Sequence, residues 1–120
     1  MTVPEHTVHY LEIVTTDAEA VRDLYEESYG WHFQPMEPAL GNAFVAELPG
    51  GVLCGIRAPL HAEEKPIVRT YVRVTDIKTS VQRATQQGAT VLLEHMEIPG
   101  HGVIAIYSHG GIEHGLWQVP

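Results

Sequence analysis

His109-Gly110-Gly111-Ile112-Glu113-His114-Gly115-Leu116-Trp117-Gln118 decides how this chain is read, because the chain carries a second version of it. Sixty residues earlier stands Pro49-Gly50-Gly51-Val52-Leu53-Cys54-Gly55-Ile56-Arg57-Ala58. Both follow x-Gly-Gly-x-x-x-Gly-[Leu/Ile], a glycine turn feeding a strand with one glycine in its interior. An interior glycine weakens a strand and marks a bulge or the close approach of another group. Two of them at equivalent positions predict a duplicated unit.

The rest of the chain repeats in step. Thr7 to Thr15 interleaves Val8, Leu11, Ile13 and Val14 with polar residues, as a strand does. Thr16-Asp17 then offers an N-cap oxygen to exposed first-turn amides. Ala18, Val21, Leu24, Tyr25 and Ser28 follow at helical spacing, and Gly30 closes the run. Strands are expected at about 31–36, 42–48 and 51–58, divided by Pro35, Pro38 and the first Gly-Gly turn. Residues 1–6 read as a loose arm and 59–66 as a polar linker. The programme then restarts: a strand from Val68 to Val74, Thr75-Asp76, and a helix marked by Ile77, Val81 and Ala84 that Gly88 ends. Strands are expected at about 89–97, 102–107 and 112–119. The expectation is an α+β domain of two βαβββ modules, at about 7–58 and 67–120, each burying a face that it cannot cover alone.

Composition narrows the function classes. The chain has 120 residues, enough for one domain, with 44% hydrophobic and 18% charged residues. No apolar run reaches the roughly 20 residues of a membrane span, and no signal-like N-terminus is present, which points to a cytoplasmic protein. A formal charge of −8 and the lack of a basic stripe argue against nucleic acid. The single cysteine, Cys54, lies in an apolar strand pattern and reads as a core residue.

The duplicated βαβββ order resembles the vicinal oxygen chelate superfamily, the glyoxalase/bleomycin-resistance/dioxygenase fold. The residues that carry the resemblance are Thr15-Thr16-Asp17 leading into Val21–Gly30-Trp31, Glu97-Ile98-Pro99-Gly100, and Gly111 through Gln118. The resemblance implies two sheets curled into cups that meet around a ligand, and a homodimer. It also implies where metal-using relatives place their ligands. These are the first strand of each module, seven residues before the capping Asp, and each last strand, four residues after the turn glycine. Here those positions hold Tyr10, Arg69, Gly55 and Gly115. Arginine has no acceptor and glycine no side chain. The inherited metal site is read as lost, with no cofactor in its place.

Strand alternation populates the cup. Tyr10, Glu12 and Val14 share one face of the first strand, with Leu11 and Ile13 turned to the helix. Arg69, Tyr71 and Arg73 share the matching face of the second module, and the last strands add Leu53, Arg57, Glu113 and Trp117. The ligand-binding set is therefore Tyr10, Glu12, Arg57, Arg69, Tyr71, Arg73, Glu113 and Trp117. The bland alternative is that the arginines pair with Glu12, Glu113 or a partner subunit as ordinary architecture. Aromatic walls around charged anchors favour a ligand pocket, and glycine in place of a metal ligand would open room against backbone.

Eight histidines raise a relocated metal site. His95 and Glu97 share a strand face, with His101 four residues beyond. Glu113 and His114 point to opposite faces, while His6, His9, His32, His61 and His109 lie in the arm or near turns, so scattered surface histidines are the preferred account. Ser108-His109 lacks a nucleophile elbow, and the Gly-Gly turns precede strands rather than the helices that phosphate loops require. Glu12 is the one candidate general base.

The leading expectation is metal-independent binding of a small organic molecule, drug or metabolite, of the bleomycin-resistance type. Its ligand is cationic if global charge decides and anionic if the cup arginines do. The alternative is a lyase, isomerase, hydrolase or dioxygenase-like enzyme using a relocated metal or Glu12. A third reading is a partner-binding module whose cup is closed by side chains.

Overall fold

The computed structural model describes residues 5–120. Its elements follow the repeat: β1 (Val8–Val14), α1 (Ala18–Tyr29), β2 (Gln34–Glu37), β3 (Ala43–Glu47) and β4 (Leu53–Arg57). Then come β5 (Ile67–Arg73), α2 (Ile77–Gln86), β6 (Thr90–Ile98), β7 (Gly102–His109) and β8 (Ile112–Gln118). The fold is α+β, with βαβββ twice. Two compact units are present: Tyr10–Val68, and Arg69–Pro120 together with the described residues up to His9.

In the first unit the strands run in the order β2-β3-β4-β1. β4 is antiparallel to β3 and parallel to β1, with Glu12 opposite Gly55 and Val14 opposite Arg57. Alternation turns Ile13, Cys54 and Ile56 to one face, where they pack against Leu11, Ala18, Val21 and Tyr25. This is the helix-facing core that the sequence assigns to Leu11 and Ile13. Cys54 is fully buried, and that burial pushes its thiol up to about 11, which makes it an inert apolar filler. Asp17 caps α1 by accepting from Ala20 N at 3.3 Å, and Gly30 ends it at φ 73°.

The second unit repeats the order as β5-β8-β7-β6, with β8 parallel to β5 and antiparallel to β7. Its core joins Val74, Ile77, Val81, Ala105 and Leu116. Asp76 caps α2 by accepting from Thr79 N at 3.2 Å, and Gln118 Oε1 accepts from Ile77 N at 2.8 Å, tying the helix start to β8. The two Gly-Gly turns adopt one backbone solution: φ is 89° and 90° at Gly50 and Gly51, and 65° and 76° at Gly110 and Gly111. Residues with a Cβ rarely hold that region, which explains why the chain spells both turns alike.

Three sequence expectations are corrected. The strand expected from 31 begins only at Gln34, since Trp31–Phe33 make no ladder, and Phe33 N instead donates to Glu26 Oε2 at 3.0 Å. The arm is not loose where it is described. His6 N donates to Arg73 O and Arg73 N to Thr7 O, each at 2.7 Å, while Glu5 Oε1 accepts from Thr75 Oγ1 at 3.0 Å. The rest of the arm, 1–4, lies outside the described residues. The linker 59–66 also does more than connect, because Glu64 folds back onto β4.

Candidate functional site

In the first unit the side chains on the face away from α1 form one charged cluster. Arg57 Nε donates to Glu12 Oε2 at 3.1 Å, and its two terminal nitrogens donate to the two oxygens of Glu64, both at 2.8 Å. The planar fork meets the carboxylate end-on, the strongest arrangement open to this pair. Leu60 N donates to Glu64 Oε1 at 2.7 Å and fixes the loop in place. The Arg57 guanidinium holds the Glu64 carboxyl down at about 2, and Glu64 in turn raises Arg57. One cation thus stands between two carboxylates, with Arg57 only 6% exposed. Gly41 permits this, since a Cβ there would stand 2.9 Å from Arg57 Cδ.

Tyr10 lies across Gly55 in the same unit. A Cβ added at Gly55 would collide with the Tyr10 hydroxyl and Cζ. The second unit repeats the device, with the Tyr71 ring across Gly115 so that a Cβ there would meet Cδ2, Cγ and Cε2. The room expected at the two glycines is therefore filled by the chain's own tyrosines, which corrects the expectation of ligand space against that backbone. The reason is register: Tyr71 stands directly opposite Gly115, and Tyr10 stands two residues before the partner of Gly55.

Around Tyr71 the second unit builds an aromatic cluster with basic groups at its edge. Tyr71 and Trp117 meet edge to face at 5.4 Å, and His9 lies against Trp117 at 5.2 Å. Trp117 Nε1 donates to His101 O at 2.8 Å, so the turn after β6 orients the indole. Arg69 donates to Glu113 Oε1 through Nη2 at 2.6 Å and through Nε at 3.2 Å, and Nη1 reaches Tyr71 Oη at 3.4 Å. Tyr71 and Trp117 are buried, whereas His9, His101, Arg73 and Glu113 are half-buried. Burial, followed by the charges of Arg73 and His101, pushes the His9 imidazole below its usual value and so favours its neutral form.

Each unit thus brings its own share of the expected site together. Tyr10, Glu12 and Arg57 are joined in one, and Arg69, Tyr71, Glu113 and Trp117 in the other, with Arg73 beside His9. Arg57 and Arg69 are both engaged by carboxylates, as the pairing alternative holds. His9 and His101 were placed among the scattered histidines and stand instead at Trp117. Alternation along β1 gives no sign of this, because it depends on the arm's attachment to β5. Among the described residues no three of His, Cys, Asp or Glu stand together to hold a metal ion. The four positions where the fold's metal-using members carry ligands do not fit one: two are glycines overlain by phenol rings, one is that phenol, and one is an arginine.

No family model matches the chain. It is 29% identical over 118 residues to CFP32 of Mycobacterium bovis and of Mycobacterium tuberculosis, a protein named as a candidate glyoxylase. The alignment covers 93% of this chain and 45% of each of theirs, so the chain spans less than half the length of those relatives. A glyoxylase-like domain-containing protein of Didymella fabae is 26% identical over 98 residues, covering 76% of this chain and 75% of that one. Among solved structures, the hypothetical protein BH1468 of Bacillus halodurans superposes with TM-score 0.77 at 16% identity, covering 98% of this chain and 96% of that one. Methylmalonyl-CoA epimerase of Mycobacterium tuberculosis gives 0.75 at 17%, covering 100% and 93%. A mutant 4-hydroxymandelate synthase of Streptomyces coelicolor gives 0.75 at 18%, covering 98% and 39%.

Proposed function

We propose that this chain, which carries the vicinal oxygen chelate fold, binds a small aromatic molecule without a metal in the fold's usual ligand positions. The observation that carries the reading is the tyrosine laid over glycine in both modules, Tyr10 on Gly55 and Tyr71 on Gly115. Rings stand where donor atoms would be needed, and the second module adds Trp117 as a base with His9, His101 and Arg73 at its rim. Packing of a ligand ring against the edge of this cluster, between its half-buried rim residues, needs no catalytic group. Because Glu12, Glu64 and Glu113 already engage Arg57 and Arg69, aromatic stacking rather than an arginine anchor dominates recognition. Sequestration of a drug or metabolite, in a cytoplasmic homodimer, is the physiological role this reading implies.

The test uses the chain's two tryptophans. A Trp31→Phe background leaves Trp117 as the reporter, and a library of aromatic metabolites and drugs is screened by fluorescence and thermal shift. A ligand that quenches Trp117 and loses about tenfold or more in affinity with His9→Ala or Arg73→Ala supports the proposal. A library in which no member quenches Trp117 sinks it.

A second reading has one specific observation behind it. A neutral His9 beside Trp117 is a competent proton acceptor, and proteins of this fold include an epimerase and a synthase. Turnover of a bound hit that His9→Gln abolishes while binding persists would favour an enzyme. Glu12 is the poorer base, since Arg57 already holds its carboxylate.

A further inference from the structure

The second module has a further recess, on the opposite face of its sheet from Tyr71 and Trp117. Alternation makes the two faces independent: Tyr71 and Arg73 point one way along β5, Val72 and Val74 the other. On β8 Leu116 joins the valines while Gly115 and Trp117 do not. Between these residues and α2 lies a groove of about 440 Å³, within the roughly 300–1,000 Å³ range of small-molecule sites. Ser80, Arg83 and Ala84 of α2 line it on one side, and Val72, the largely buried Val74 and Leu116, and the ring of Tyr107 line it on the other.

The rim has a definite sign. Arg83, in the last turn of α2, stands there with His6 and His109, and among the described residues no aspartate or glutamate lines the groove. That is unexpected in a chain with 15 acidic and 7 basic residues. Glu5 stands close to that rim, and after its hydrogen bonds with Thr75 the charges of His6 and Arg83 help to lower its carboxyl. It accepts from Thr75 N and Oγ1 at 3.3 and 3.0 Å and sits 3.5 Å from His6 Nε2.

We infer that this groove is a second binding site, for a small carboxylate with an aryl or branched-alkyl body. The body lies on Val72, Val74 and Leu116 against the Tyr107 ring, and the carboxylate meets the Arg83 guanidinium, whose planar fork suits it. The inference does not depend on the site at Trp117.

The experiment titrates the full chain with 4-phenylbutyrate, 4-phenylbutanol and 4-phenylbutylamine, following backbone amide shifts and heats of binding. The carboxylate is expected to bind saturably, about tenfold more tightly than the alcohol, with the amine weakest and shifts centred on Ala84, Ala89 and Leu116. Arg83→Gln should erase the preference for carboxylate over alcohol, and Ala84→Leu should exclude all three by filling the groove. Binding that is unchanged in a folded Ala84→Leu protein, an amine that binds as well as the acid, or shifts centred on Trp117 would each overturn the inference. Arg83→Gln changes only an exposed side chain, so it decides the matter should Ala84→Leu fail to fold.

Discussion

Tyr10 and Tyr71 do the same work with different atoms, and the difference is measurable. The hydroxyl of Tyr10 is the atom nearest a Cβ at Gly55, whereas ring carbons of Tyr71 are nearest at Gly115. Overfilling of this kind costs about 1–3 kcal/mol, so Gly55→Ala and Gly115→Ala should each lower stability by that order in urea unfolding. Adding Tyr10→Phe should recover part of the Gly55→Ala loss, because it removes the nearest atom. Adding Tyr71→Phe should recover none of the Gly115→Ala loss. Equal behaviour of the two double mutants would refute the geometry. The Glu64 pair makes a prediction in pH. Its carboxyl is depressed from 4.5 to about 2, so its stabilisation is fully present above 4.5 and is lost as pH falls through about 2. Glu64→Gln should therefore be less stable than wild type near neutrality, and the gap should close on acidification. A gap independent of pH would contradict the assignment. The sequence shows Arg57, Glu12 and the glycines plainly. It does not show Glu64 as their partner, because loop closure over Arg57 follows no strand or helix period.

At the scale of elements, local chemistry was legible wherever one residue decides. The Thr-Asp caps, Gly30 and the paired Gly-Gly turns all stand where their backbone needs put them. Asp17→Ala should cost about 1 kcal/mol, read as a shift in the urea midpoint at unchanged slope, and Asp17→Ser should restore most of it. A loss of the same size in both would show that the cap oxygen is not what matters. Misreadings arose where tertiary partners compete with propensity. Trp31–Phe33 has strand-forming residues, yet a Glu26 oxygen takes the Phe33 amide before any strand can. The 3-10 turn at Pro38–Leu40, capped by Glu37, follows from Pro38 and has no counterpart in the strand pattern expected there. The arm's docking could not be read from its composition, since it is held by backbone groups at Arg73 and by Thr75.

At the scale of the whole chain, the duplication carried the fold and the alternation carried the two faces of each sheet. The modules keep one architecture while their charges have diverged. In the first, a carboxylate on the opening strand meets an arginine on the last strand. In the second, an arginine on the opening strand meets a carboxylate on the last. What could not be read is how far these pairs consume the arginines, because side-chain partners are chosen by three-dimensional distance rather than by spacing in sequence. That outcome shifts the expected recognition from an arginine anchor to an aromatic surface. The central proposal is that aromatic rings stand in both modules where metal ligands would be needed. The most direct test is metal stoichiometry of untagged protein titrated with Zn²⁺, Ni²⁺, Mn²⁺ and Fe²⁺, repeated with Glu12→Gln and Glu113→Gln. The account predicts no stoichiometric site that depends on either carboxylate. One tightly bound metal per chain, lost in Glu12→Gln or Glu113→Gln, would contradict it.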